Sequence, residues 1–348
     1  MQDYIIYVGL LLFSTFMAFV AEKRNSIFCI AMIVLAYTAI AGLRAKSVGA
    51  DTAMYISLFD RIRAGTSELS VIDEGFKELC RILLSIWDND AFVLSVVAFA
   101  TYFFIIFRLW DFRKIASFPF MVFCTYTMHY AFTLNIMRQY LGVAIAFWAS
   151  RYIFKKQYPI FFALVLIASS IHSSTLLAMA LLMFGFVTWK DNNILEKTLM
   201  LISTGIVPIA LFRIISIEKY TKYFSKVVRT DYLMYVILVF YFILSLFYVN
   251  LKSEDKNGNQ RLDYEKIAVT IFYAISLGVN FLGTFFRYMN RVGMIFIIFG
   301  VVYHGMLVKN SKDKKFFFYS SAVYYLYSFV TVWMANSHSQ LPYLFFWQ

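Results

Sequence analysis

Apolar runs long enough to approach a bilayer's thickness recur along the chain, near 4–21, 26–43, 91–109, 117–135, 137–154, 159–171, 173–188, 198–216, 231–250, 266–285, 290–308 and 316–334, and short charged loops separate many of them. A hydrocarbon core of about 30 Å takes roughly 20 helical residues, and somewhat fewer where flanking side chains snorkel. The pattern predicts an all-α, polytopic integral membrane protein of about 12 transmembrane helices, with residues 1–348 as a single transmembrane domain. The 159–188 stretch is long for one span and short for two, and the polar run Ser169-Ser170-Ile171-His172-Ser173-Ser174 lies at its middle. One span, two short spans and a re-entrant pair all satisfy it, provided the broken backbone packs against protein.

Two segments carry an amphipathic period instead. Within 44–90, Phe76, Leu79, Leu83 and Ile86 recur at helical spacing against Lys77, Glu78, Arg81 and Ser85, the pattern of a helix lying on the membrane. Within 213–230, Lys219, Lys222, Lys226 and Arg229 share one face while Tyr220, Phe224, Val227 and Val228 cover much of the rest. That basic face either grips lipid headgroups or attracts an anionic glycan or pyrophosphate.

A composition of 61% hydrophobic, 20% aromatic and only 15% charged residues excludes both a soluble globular domain and a disordered chain. The first run has no basic residue before it and exceeds a signal-peptide core, so it reads as a retained span. The net charge of +12 is spread through short loops, which fits topology signals and anionic lipids rather than nucleic acid. Cys29 and Cys124 lie inside apolar runs and Cys80 stands alone, so no disulfide framework or CxxC site forms. His129, His304 and His338 lack partners at metal-ligand spacing, and neither a metal nor a cofactor is expected.

Lys and Arg accumulate on the cytoplasmic side. An outside N-terminus makes Lys23-Arg24, Arg113-Lys114, Lys155-Lys156, the loop 252–266 and the loop 309–315 cytoplasmic. It also sends Arg44, Arg138, His172, Arg287 and Arg291 to the outer face, with 44–90 as a periplasmic loop and 213–230 as a basic periplasmic exception. A charge at the centre of a span costs about 2.5–3.5 kcal/mol on insertion scales, so arginines gathered at span ends call for a reason such as an anionic substrate.

The segment from Gly42 to Tyr55 leaves the second span, turns at Gly49 and starts a helix at Asp51, which sets Asp51 and Tyr55 one turn apart. Arg44 either snorkels or holds a phosphate through its planar donor fork, and Asp51 either caps or accepts a proton. In Asn135-Ile136-Met137-Arg138-Gln139, two apolar runs lie too close for a long loop. Arg138 then sits at a tight hairpin or helix start, where free amides also favour an anion. Arg287 and Arg291 are four residues apart, so a continuous helix would point both the same way. His172 is a hydrogen-bonded structural group or a general base; an unperturbed histidine titrates near pH 6.5. Asp88-Asn89-Asp90 has the form of a DxD element, but it directly precedes a span, and capping by Asp90 is the expected role.

At these residues the chain resembles the EpsG/Wzy-type polysaccharide polymerases of bacterial inner membranes. The ordered landmarks are Arg44 with Gly49, Asp51 and Tyr55; Glu74-Gly75-Phe76; Asn135 with Arg138-Gln139 and the small-residue helix 142–146; Ile171-His172-Ser173; Arg287 to Arg291; and Pro342-Tyr343. The Arg287 region and the tail match more loosely.

The resemblance implies polymerisation of O-antigen, capsule or exopolysaccharide repeat units on the periplasmic side. The growing glycan would pass from undecaprenyl diphosphate to the non-reducing end of a new lipid-linked unit, without a metal. Arg138, Arg287, Arg291 and Arg44 would bind the pyrophosphate; Tyr55, Gln139, Lys222 and Lys226 would position substrate. His172, Asp51 and Glu74, in that order, are the candidate bases. A chain-length regulator and a flippase are expected partners. The competing functions are a flippase or transporter of lipid-linked oligosaccharide, which would need a site reachable from both sides, and an O-antigen ligase.

Overall fold

Side chains that meet free backbone amides set several helix boundaries. The computed structural model describes residues 4–66, 72–181, 194, 197–198, 202, 232–251, 260–284, 289–336 and 339–348. These hold helices α1 (Ile5–Arg24), α2 (Ile27–Gly42), α3 (Thr52–Arg63), α4 (Glu74–Ile86), α5 (Asp90–Asp111), α6 (Phe118–Asn135), α7 (Met137–Ala149), α8 (Arg151–Phe154), α9 (Tyr158–Ile171), α10 (Tyr232–Leu246), α11 (Gln260–Gly283), α12 (Met289–Asn310) and α13 (Lys314–Met334). The Ser26 hydroxyl accepts from the Cys29 amide at 3.4 Å to open α2, and Asp313 accepts from the Phe316 amide at 3.1 Å to open α13. Pro119 and Pro159 lie in the first turns of α6 and α9, where a missing N–H costs nothing. α5 is capped by Asn89, which accepts from the Phe92 amide at 3.0 Å, and not by Asp90.

α1 packs on α2 and α6, α2 on α5, α5 on α7 and α7 on α9. α12 packs against α11, α13, α6 and α7, burying Phe299, Val302, Tyr303 and Leu307. Tyrosines contribute heavily to the core beside α1, and their hydroxyls are satisfied: Tyr37 donates to Ser14 Oγ at 3.0 Å and Tyr126 to the Tyr7 carbonyl at 2.7 Å.

Among the described residues the protein is all-helical, and they do not confirm the expected count of twelve crossings. Four stretches are long and apolar enough to span: Ile5–Arg24, Asp90–Lys114, Leu262–Gly283 and Val292–Asn310. α2 and α9, at 16 and 14 residues, reach only about 24 and 21 Å at roughly 1.5 Å per residue. The 137–154 run is not one continuous helix. It breaks at Ser150, whose hydroxyl accepts from Arg108 Nε at 3.1 Å. α9 ends at Ile171, His172 is extended, and 173–181 continues as a tighter 3₁₀ turn series. Residues 182–188, the 198–216 run apart from 198 and 202, and the basic segment 213–230 lie outside the described residues.

Polar side chains gather at the two ends of the bundle. At one, Arg108 meets Asp111 at 3.3 Å and lies 4.0 Å over the Phe112 ring, while Lys309 and Asn310 reach the carbonyls of Arg113 and Ile115. At the other, the α2–α3 turn, the α6–α7 break and the residues after α9 converge. The segment 339–348 returns to this second end: the amide of Ala45 donates to the Leu344 carbonyl at 2.8 Å, and that of Phe346 to the Leu43 carbonyl at 2.9 Å. Tyr343 donates to the Ile40 carbonyl and Tyr7 to that of Gln340, at 2.8 and 2.9 Å.

Candidate functional site

Backbone packing at the second end brings distant parts of the sequence together. Gly49 has φ of +90°, the left-handed region, and a Cβ there would stand 2.5 Å from the Leu134 carbonyl oxygen. The α2–α3 turn is therefore seated directly on the end of α6. Asn135 locks this contact by accepting from the Asp51 amide at 2.9 Å. Asp51 occupies the position before α3, but its side chain makes no capping bond to that helix.

Arg138, in the first turn of α7, places Nη1 3.2 Å from Asp73 Oδ2. His172, just past the end of α9, places Nδ1 3.4 Å from the same oxygen. One carboxylate thus faces two cationic or potentially cationic partners from separate helices, and all three side chains are at least three-quarters covered. Burial alone would raise the Asp73 carboxyl, but hydrogen bonding with His172, the charges of Arg138 and His172 and a hydrogen bond with Ser173 hold it below the ordinary range.

Tyr55 of α3 closes the group. Burial pushes its hydroxyl up to about 12, against the opposing influence of nearby Arg138, whose backbone amide donates to it. Gln139 is buried beside Arg138 at the start of α7.

Arg44 lies at the same end but is enclosed, at 2% exposure. Its Nε donates to Thr52 Oγ1 at 3.1 Å, Nη1 to the Ala41 carbonyl, and Nη2 faces Met137 Sδ at 3.7 Å. Tyr102, Tyr130, Tyr55 and Tyr343 surround it, and no carboxylate among the described residues lies within ion-pair distance. The adjoining void, lined by Leu94, Tyr102, Thr133 and Met137, is about 10 Å³, room for about one water and not for a phosphate. In this conformation Arg44 ties α2, α3 and α7 together.

Glu74 opens α4 but turns outward, its side chain 86% exposed and paired with Lys77 at 2.7 Å. The Asp88 and Asp90 carboxylates bind Arg63, at 2.6 and 2.7 Å, with Asp60 at 3.0 Å on the third nitrogen. Arg291 falls in the first turn of α12, whose far end meets the opposite pole, so its backbone belongs to the end bearing Arg138. Arg287, Lys222 and Lys226 lie outside the described residues.

Asp73 is the residue that sequence reasoning missed. It precedes Glu74-Gly75-Phe76, and the faint signal was an acid at a helix start beside a glycine. The glycine matters because a Cβ at Gly75 would stand 2.5 Å from the Ser170 carbonyl oxygen. That close approach of α4 to α9 carries Asp73 to His172.

Fold and site together define a helical membrane protein with a cation, carboxylate and histidine cluster at one end of its bundle. The chain belongs to the EpsG family, whose model matches residues 4–345, and this membership gives it a polysaccharide-polymerase type of role. No curated protein and no solved structure matches it.

Proposed function

We propose that this protein polymerises undecaprenyl-diphosphate-linked oligosaccharide repeat units of O-antigen, capsule or exopolysaccharide. It transfers the growing glycan to the non-reducing end of a new lipid-linked unit and releases undecaprenyl diphosphate. The site end faces the periplasm or cell exterior of the bacterial inner membrane, and a chain-length regulator and a flippase are its partners. What supports this is the family match across nearly the whole chain, together with the convergence of Arg138 and His172 from separate helices on one end.

Arg138, joined by Arg287 and Arg291, binds the donor diphosphate and stabilises the charge that develops as the sugar–oxygen bond to it breaks. Fixed donors in a water-poor cleft act strongly on such charge. His172 takes the proton of the acceptor hydroxyl as that oxygen bonds the anomeric carbon, with Asp51 and Glu74 as lesser candidates. Arg44, enclosed as described, holds the α2–α3 turn against α7 and reaches a phosphate only if that turn opens. Tyr55, Gln139, Lys222 and Lys226 position substrate. Metal is not required, because the donor already carries a diphosphate leaving group.

Deletion followed by analysis of surface glycan and lipid-linked intermediates tests the reading. The expected product is glycan bearing a single repeat unit, with lipid-linked units accumulating outside. Accumulation inside identifies a flippase instead.

A further inference from the structure

Asp73 Oδ2 stands 3.2 Å from Arg138 Nη1 and 3.4 Å from His172 Nδ1, so both contacts lie at or beyond the long limit of an N–H to oxygen hydrogen bond. One oxygen is stretched between two donors on different helices. Resting on the polymerase reading, we propose that Asp73 is the positioning carboxylate of the site, shared between Arg138 and His172 in the free protein and left to His172 once a lipid diphosphate occupies Arg138.

The exchange follows from charge and shape. A diphosphate offers several anionic oxygens to the planar guanidinium fork, where Asp73 offers one at 3.2 Å. Released from Arg138, the carboxylate closes on His172 Nδ1–H. That bond fixes the tautomer in which Nε2 carries no proton, and it stabilises the imidazolium that forms when the acceptor hydroxyl gives up its proton. In the same step the hydroxyl oxygen bonds the anomeric carbon, and the electron pair of the breaking sugar–oxygen bond leaves with the diphosphate. The base is thus completed only after the donor is seated.

The other groups nearby do not supply this role. Glu74 is 86% exposed and satisfied by Lys77 across the first turn of α4. Tyr55 of α3 accepts from the Arg138 amide, Ser173 hydrogen-bonds Asp73 itself, and Arg44 is enclosed by Thr52, the Ala41 carbonyl and Met137. Asp51, at the start of α3, is held through its backbone by Asn135.

The test uses the full chain in nanodiscs with two readouts: binding of undecaprenyl diphosphate, and turnover of a lipid-linked repeat unit across pH. Asp73→Asn is expected to bind undecaprenyl diphosphate at least as tightly as the natural protein, because the carboxylate no longer competes with the diphosphate for Arg138. Its kcat falls by about 100-fold or more, as when the carboxylate behind a catalytic histidine is neutralised. The acid limb of its kcat profile moves to lower pH by about one unit, because a histidine without its carboxylate holds its proton less tightly. Asp73→Glu recovers at least tenfold of the loss, which shows that the fold survives. Asp73→Asn that weakens diphosphate binding and leaves the acid limb in place overturns the proposal, because Asp73 then only props Arg138. A natural protein that neither binds undecaprenyl diphosphate nor extends glycan overturns the polymerase reading together with it; binding and turnover without the shift overturn this inference alone.

Discussion

Gly75 meets Ser170 backbone to backbone so closely that a single added methyl would stand 2.5 Å from the Ser170 carbonyl oxygen. The obstruction is main chain on a packed helix, which cannot swing aside as a flexible side chain could. Gly75→Ala is therefore expected to push α4 away from α9 and separate Asp73 from His172. Glycan length on gels should fall while membrane insertion is retained. Unaltered chains from a stably inserted Gly75→Ala protein would show that this contact does not set the site.

Arg44 tests function against stability. A guanidinium buried without a carboxylate among the described residues is a cost to folding, offset here by its bonds to Thr52 Oγ1 and the Ala41 carbonyl, acceptors that an apolar side chain would leave without that donor. Arg44→Met should lower the thermal unfolding midpoint in detergent only modestly, and lower polymerisation at least tenfold if the turn must open toward substrate. A collapse of the midpoint with proportionate loss of activity would make Arg44 purely structural.

Among the described residues Arg63 is the one cation paired with Asp60, Asp88 and Asp90, and its own charge is held more firmly than usual by the last two despite partial desolvation. These groups are partly exposed, so Arg63→Ala should destabilise by only about 1 kcal/mol. Salt at 1 M should shrink the difference, because screening weakens exposed pairs. Arg63→Lys should restore little, since a single ammonium cannot serve carboxylates on three sides.

Asp73 predicts a pH dependence with a definite sign. Its folded carboxyl lies below the ordinary value of 3.8, after burial is outweighed by His172, Arg138 and Ser173. Its contribution to stability is therefore full above that value and is lost as pH falls through the lower folded one. The Tm gap between the natural protein and Asp73→Asn should be steady above about pH 5 and close toward pH 3. A gap that widens on acidification contradicts the assignment.

Helical periodicity made α1, α5 and α12 legible, because their long apolar runs have few competing interpretations. Arg138 and His172 were legible as unusual charges near span ends. Asp73 was not, because its partners are chosen by how α4 packs on α9, and local sequence says nothing of that distance. The amphipathic pattern put Lys77 on the solvent face of α4, yet its side chain is buried and reaches Glu74 at 2.7 Å; a long aliphatic stem lets a charge reach out from a covered position. Capping at α5 was misplaced by one residue, from Asn89 to Asp90, because Arg63, far off in sequence, competes for the aspartates.

The segment 339–348 clasps the turn that carries Arg44, through Leu344 to Ala45, Phe346 to Leu43 and Ser339 to Gly49. The earliest-made helices are thus joined to residues the ribosome supplies after α13. During synthesis this pole cannot close until the residues beyond α13 have been made, because Leu43, Ala45 and Gly49 find these backbone partners only in 339–348.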